Sequence, residues 1–226
     1  MTKFPDKKSK GDYAMIALKA GVSAIPVVGG PAAELIGLIN TPLETRKVVW
    51  LNDVAEKLKD LEGKIDNFSL SELQENHEFI TILTHASQIA IRNHEEEKLN
   101  ALRNAVINTA KKIDVGGNLR IMFLSYIDLM SPWHLHILDY LKNPKEACFV
   151  HGVDPNKYSM GGPSTLLEDC FLELRGKREF YDLIYSDLAS KGLVLSGGLH
   201  GTMSVGGMSQ KRTTNMGDNF LRFISI

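Results

Sequence analysis

The strongest constraint on the fold is a change of grammar at Gly192. Upstream, apolar residues recur at helical spacing between recognisable helix starts and stops. Downstream, Gly197, Gly198, Gly201, Gly206, Gly207 and Gly217 cut the chain into short segments. The last two helical stretches before the change are residues 164–175 and 177–191, separated by Gly176. Gly192 is placed to end the second, because glycine takes the left-handed backbone conformation without steric cost. Residues 193–195 and 202–205 then have strand character, residues 211–214 are spaced to pair back, and 219–224 form a short apolar end.

That order, two helices and then a glycine-rich hairpin, is the order of a winged helix. In a DNA-binding domain of this kind the second helix enters the major groove and presents Arg, Asn or Gln to the bases. Here Lys177, Arg178 and Lys191 are matched by Glu179, Asp182 and Asp187, so the helix is neutral. Tyr181 and Tyr185 lie one turn apart and are the candidate partner-binding residues. The candidate phosphate contacts are Lys177, Arg178, His200, Gln210, Lys211 and Arg212. Residues 175–226 hold seven basic and four acidic side chains, a modest surplus for binding phosphate. The neutrality of the second helix favours a protein partner over DNA.

The upstream chain reads as a helical bundle. Thr41-Pro42-Leu43-Glu44 has the form of a helix start, and Gly63 that of its stop. Leu43, Val48, Leu51, Val54, Leu58 and Leu61 mark the buried stripe, with Trp50 beside it expected to join the core. Ser69-Leu70-Ser71-Glu72 predicts a second helix running to about Ile91. Residues 95–112 follow, with Glu95, Glu96 and Glu97 at the start and Lys111 and Lys112 at the end, both matching the helix dipole. After a break at 114–117 come an apolar helix over 119–130 and another from Ser131-Pro132 to Asn143-Pro144. Residues 144–162 are rich in Gly and Pro and read as a linker.

The N-terminus combines a basic, flexible leader (1–12) with an apolar stretch over 13–39. The uncharged run within it, residues 20–33, is too short to span a bilayer, which takes roughly 18–20 apolar residues. Pro26, Gly29, Gly30 and Pro31 predict a turn between two short helices, 13–24 and 31–39. Such a hairpin suits a buried core, an oligomerisation face, or conditional insertion at an anionic membrane.

Catalytic signatures are incomplete. His94-Glu95 and His77-Glu78 open like zincins, but Lys98 and Thr81 stand where the second imidazole is required. Gly201 to Gly206 has phosphate-loop spacing without the lysine. His134 and His136 point opposite ways on a helix and share no metal. Cys148 and Cys170 are 22 positions apart and read as buried core filler. The overall charge, 26 basic against 27 acidic residues, excludes a broadly polycationic nucleic-acid binder and an acidic disordered tail. No catalytic residue, metal site, cofactor or small-molecule substrate is identified.

The segments 130–138 (Met-Ser-Pro-Trp-His-Leu-His-Ile-Leu), 188–194 and 214–224 resemble those of bacterial helical proteins of the Abi-alpha, abortive-infection-associated type. Thr214, Gly217 and Phe220 supply the Thr-x-x-Gly-x-x-Phe form shared by many winged-helix proteins. The turn Pro26 to Pro31 is similar to one in uncharacterised bacterial proteins. The resemblance implies a cytoplasmic bacterial protein linked to phage defence, and brings no catalytic residues. The expected architecture is mainly α: a helical bundle over 13–143, a linker over 144–162, and a small α+β winged-helix-like domain over 163–226. The expected function is a non-enzymatic module binding a protein partner or itself. A DNA-binding regulator and a membrane-acting effector using 13–39 are the alternatives.

Overall fold

A computed structural model describes residues 31–65, 68–116 and 119–225. The basic leader, the expected helix 13–24 and the turn after it lie outside the described residues. Two compact units divide at Pro42. Of the first, residues 31–42 are described and are helical. The side-chain packing below is that of the second unit, Leu43–Ile226.

The protein is mainly helical, with eleven α-helices and one two-stranded sheet among the described residues. Helix α1, Pro31–Glu62, includes Pro42 in its interior. The expected break at Thr41-Pro42 is therefore corrected: a proline removes one backbone hydrogen bond, a cost that the turns on either side can outweigh. The second expected helix is divided. Ser69 caps a single turn, α2 (Leu70–Leu73), and Asn76 starts α3 (His77–Arg92) by accepting from the Phe79 N–H at 3.0 Å. The cap at Asn76 outcompetes continuation of the helix from Ser69, because it satisfies an amide that would otherwise lack a partner.

Helix α4 (Glu96–Ala110) is the centre of the core, with Leu102, Ala105 and Val106 fully buried. It packs against α3, α5 (Leu119–Leu129) and the last helix, α11 (Asn215–Ile224). Trp50 joins this core and donates its indole N–H to the Leu99 carbonyl at 3.2 Å. Phe123 of α5 meets Phe220 of α11 edge-on, with centroids 5.3 Å apart. Asn108 donates to three carbonyls at the end of α11, those of Arg222, Phe223 and Ser225, at 2.7–3.1 Å. The buried residues from Trp50 to Ile224 form one continuous core. The expected boundary between a bundle and a separate C-terminal domain is thus corrected: both sides share a single apolar interior.

The expected linker is structured. Helix α6 (Pro132–Lys142) passes directly into α7 (Pro144–Val150), with Asn143 capping the latter. A 3-10 turn and strand β1 (Met160–Gly161) follow. Helix α8 (Pro163–Cys170) is shorter than expected and ends in a 3-10 turn, Leu172–Leu174. Helix α9 (Arg178–Ser190) matches expectation, entered through Gly176 and left through Gly192, both at φ 72°.

The hairpin beyond it is only partly as expected. Leu195 N–H donates to the Arg212 carbonyl at 2.9 Å and Thr214 N–H to the Leu193 carbonyl at 3.0 Å, so the outer segments do pair. Strand β2 (Met203–Ser204), however, pairs with β1, antiparallel, and residues 205–208 turn into the short helix α10 (Val205–Met208). A complete wing does not form among the described residues. The closing segment follows the Thr-x-x-Gly-x-x-Phe form. Thr214 caps α11 by accepting from Gly217 N–H at 3.1 Å, and Phe220 is fully buried. Gly217 is required by space, since a Cβ there would stand 2.1 Å from the Leu193 carbonyl oxygen.

Candidate interaction surface on the C-terminal helices

Helix α9 has two apolar faces. Tyr181, Ile184, Tyr185 and Leu188 recur at i, i+3, i+4 and i+7 and point into the core. Tyr181 is 1% exposed and Tyr185 5%. Their hydroxyls donate to Glu168 and to the Leu195 carbonyl, each at 2.6 Å. Burial, then the Glu168 bond, pushes the Tyr181 phenol up to about 12. The assignment of these two tyrosines to partner binding is corrected: their one-turn spacing is that of the buried stripe. The outward face carries Glu179, Phe180, Leu183 and Ser186. Phe180 is 39% exposed and Leu183 69%. Their i, i+3 spacing, out of phase with the buried stripe, was the available sequence signal for a second apolar face.

The expected phosphate contacts are scattered, and most have internal partners. Arg178 pairs with Asp182 at 3.4 Å, and Lys211 is bonded to Asp218. Lys177 and Gln210 are exposed. Arg212 is 9% exposed and donates to the Gly207 carbonyl at 3.3 Å. It braces the loop before it, so its assignment to phosphate binding is corrected. That burial came from the fold of residues 197–208 around the guanidinium, which no local pattern specifies.

His200 forms a contact absent from the sequence reading. Its Nδ1 lies 3.2 Å from Ser164 Oγ and its Nε2 2.7 Å from Asp182 Oδ1. One tautomer satisfies both, with Nε2–H donating to the carboxylate and Nδ1 accepting from the hydroxyl. These are the residue types of a catalytic triad. The surroundings differ from one. Ser164 is 9% exposed, its N–H donates to the Leu199 carbonyl, and the Thr165 N–H donates to Gly162. Neither amide is left to stabilise an oxyanion. The group instead ties the loop around His200 to α8 and α9.

Beside the outward face of α9 lies a cavity of about 490 Å³. Trp133 and Phe171 line it, their rings edge to face at 5.8 Å, and Trp133 also meets Phe180 at 6.4 Å. Glu97, Asp139 and Glu173 supply three carboxylates, and among the described residues no lysine or arginine lines it. His136 stands 3.8 Å from Glu97, while His134 on the other side of α6 bonds Ser131 and approaches Asp187 at 3.3 Å. The two imidazoles diverge as their spacing required.

A second cavity, of about 650 Å³, has the opposite character. Lys111, Lys142, Lys211 and Arg222 line it with one carboxylate, Asp218. Burial alone would raise that carboxyl, but bonds from Lys211 and Thr213 outweigh it and hold Asp218 below its usual range. Lys111, Lys142 and Arg222 each stand at a helix C-terminus, where they meet the negative end of a dipole. Among the described residues, no group of three or more His, Cys, Asp or Glu could hold a metal ion. No helix there is long and apolar enough to cross a membrane. Comparison with protein-family models, curated proteins and solved structures found no match.

Proposed function

We propose that this chain is a non-enzymatic interaction module that docks a protein partner, or a second copy of itself, on the outward face of α9. The observation that carries this reading is Leu183, exposed on the same face as Phe180, which abuts Trp133 at the edge of the acid-lined cavity. An exposed aromatic and aliphatic pair beside carboxylates suits a segment with apolar residues next to arginine or lysine, and guanidinium groups also favour aromatic faces. A link to phage defence rests on the Abi-alpha resemblance of residues 130–138, 188–194 and 214–224.

The test is a titration with a peptide alternating leucine and arginine, read by Trp133 emission in a Trp50→Phe background. Tight, saturable binding is expected, weakened at least about tenfold by citrulline in place of arginine, or by Leu183→Asp. Equal binding of the arginine and citrulline peptides, or binding indifferent to Leu183→Asp, rejects this face as the docking site.

A DNA-binding regulator is the second reading, supported by the lysine- and arginine-lined cavity. It would work through Lys111, Lys142 and Lys211 rather than the buried Arg212. The membrane reading depends on residues 13–39, most of which lie outside the described residues.

A further inference from the structure

Cys148 and Cys170 are more than core filler. Both are buried, at 0% and 6% exposed, and both are free thiols. Their Sγ atoms are 3.0 Å apart. Cys148 lies in α7 and Cys170 is the last residue of α8, and these helices pack together. Two sulfurs so placed need only about 1 Å of further approach to reach a covalent bond. We propose that Cys148 and Cys170 are a redox modification site that forms an intramolecular disulfide with a small-molecule disulfide as oxidant.

The exchange is balanced. A thiolate of the pair attacks one sulfur of the oxidant, breaking its S–S bond and releasing one small thiol. The neighbouring cysteine sulfur then displaces the second small thiol from the mixed disulfide. The protein loses two electrons and two protons, and the oxidant gains both. The pair is asymmetric in a helpful sense: the Cys170 S–H donates to Cys148 Sγ, which holds the Cys148 thiol below its usual range and Cys170 above it. Burial makes the first step wait on local opening of the short helix α7, so the reaction is slower than at an exposed thiol.

The bond would close the chain from 148 to 170, a segment that includes β1 and α8. It would also sit behind the acid-lined cavity, because Ala147 and Phe171, each adjacent to one of the cysteines, line it. The inference itself does not depend on what that cavity binds.

The experiment is equilibration of the full chain in glutathione redox buffers, acid-quenched and read by peptide mapping. It is run once in native buffer and once in urea. Closing this loop natively is expected to raise the equilibrium constant for the Cys148–Cys170 bond about a hundredfold over the unfolded chain. Cys148→Ser and Cys170→Ser should each leave a single thiol and no internal bond. An equilibrium constant in native buffer no higher than in urea overturns the proposal. So does an oxidised product consisting only of glutathione adducts or of disulfide-linked dimers.

Discussion

The acid-lined and base-lined cavities lie toward opposite ends of α4. The first turn of α4 brings Glu97 to one cavity, which α6 lines along most of its length with Trp133, His136 and Asp139. Their last residues and caps bring Lys111, Lys142 and Asn143 to the other. Helix α4 has 15 residues, which separates its ends by about 22 Å. Part of the charge follows the macrodipole: Glu97 stands at the positive N-terminus of α4, and Lys111 and Lys142 stand at negative C-termini, whereas Asp139 lies toward the C-terminal end of α6. Charge alone therefore does not single out a binding site at either end. What differs is the lining. The acidic cavity has aromatic rings and continues into exposed Phe180, whereas the basic one has aliphatic Ile113 and the stems of lysines.

Four substitutions test this comparison. The largest effect is expected from Asn108→Ala at the basic end. It would leave the carbonyls at the end of α11 without their shared donor, and urea denaturation should show a loss of about 1–3 kcal/mol. A loss below about 1 kcal/mol would mean that α11 is held by its apolar face alone.

Charge reversal should be milder and nearly symmetric. Glu97→Lys and Lys142→Glu are each expected to cost about 0.3–1 kcal/mol in urea denaturation, since each opposes a dipole. Their binding effects should diverge. Only Glu97→Lys is expected to weaken the leucine–arginine peptide. If Lys142→Glu weakens it equally, long-range charge rather than the aromatic lining selects the ligand.

The smallest effect concerns His134 in the first turn of α6. Burial holds its imidazole below the ordinary value of 6.5, outweighing the attraction of Asp187. The folded chain then binds a proton less readily than the unfolded one. Stability from this group is present above about 6.5 and is lost as pH falls from there through the folded value. Thermal unfolding across that interval should show stability rising with pH in the parent and a flatter course in His134→Gln. An equal slope in both would place the pH dependence elsewhere.

Much of the fold was legible because its signals are local. Glu96 and Glu97 at the start of α4, Pro132 at the start of α6, and Gly176 and Gly192 around α9 act within a turn of themselves. So do Thr214 and Gly217 at the start of α11. The surface was less legible. Tyr181 and Tyr185 carry polar tips that suit an exposed face, but burial with two good hydrogen bonds costs little. Phe180 and Leu183 carry no such local mark of exposure, because an apolar pair on a helix is ordinarily core.

By itself, the sequence determined most of the helical segments, several of their starts and stops, and the apolar end that carries Phe220. Helix formation depends on hydrogen bonds four residues apart and on caps adjacent in the chain, so the information is contained in short windows. Only the tertiary structure decided that β2 pairs with β1, that Arg212 is buried, that His200 reaches Ser164, and that two cysteines 22 positions apart touch. Those pairings join residues far apart in sequence. They are selected by how the helices fill one shared core, a property of the whole chain and of no single segment.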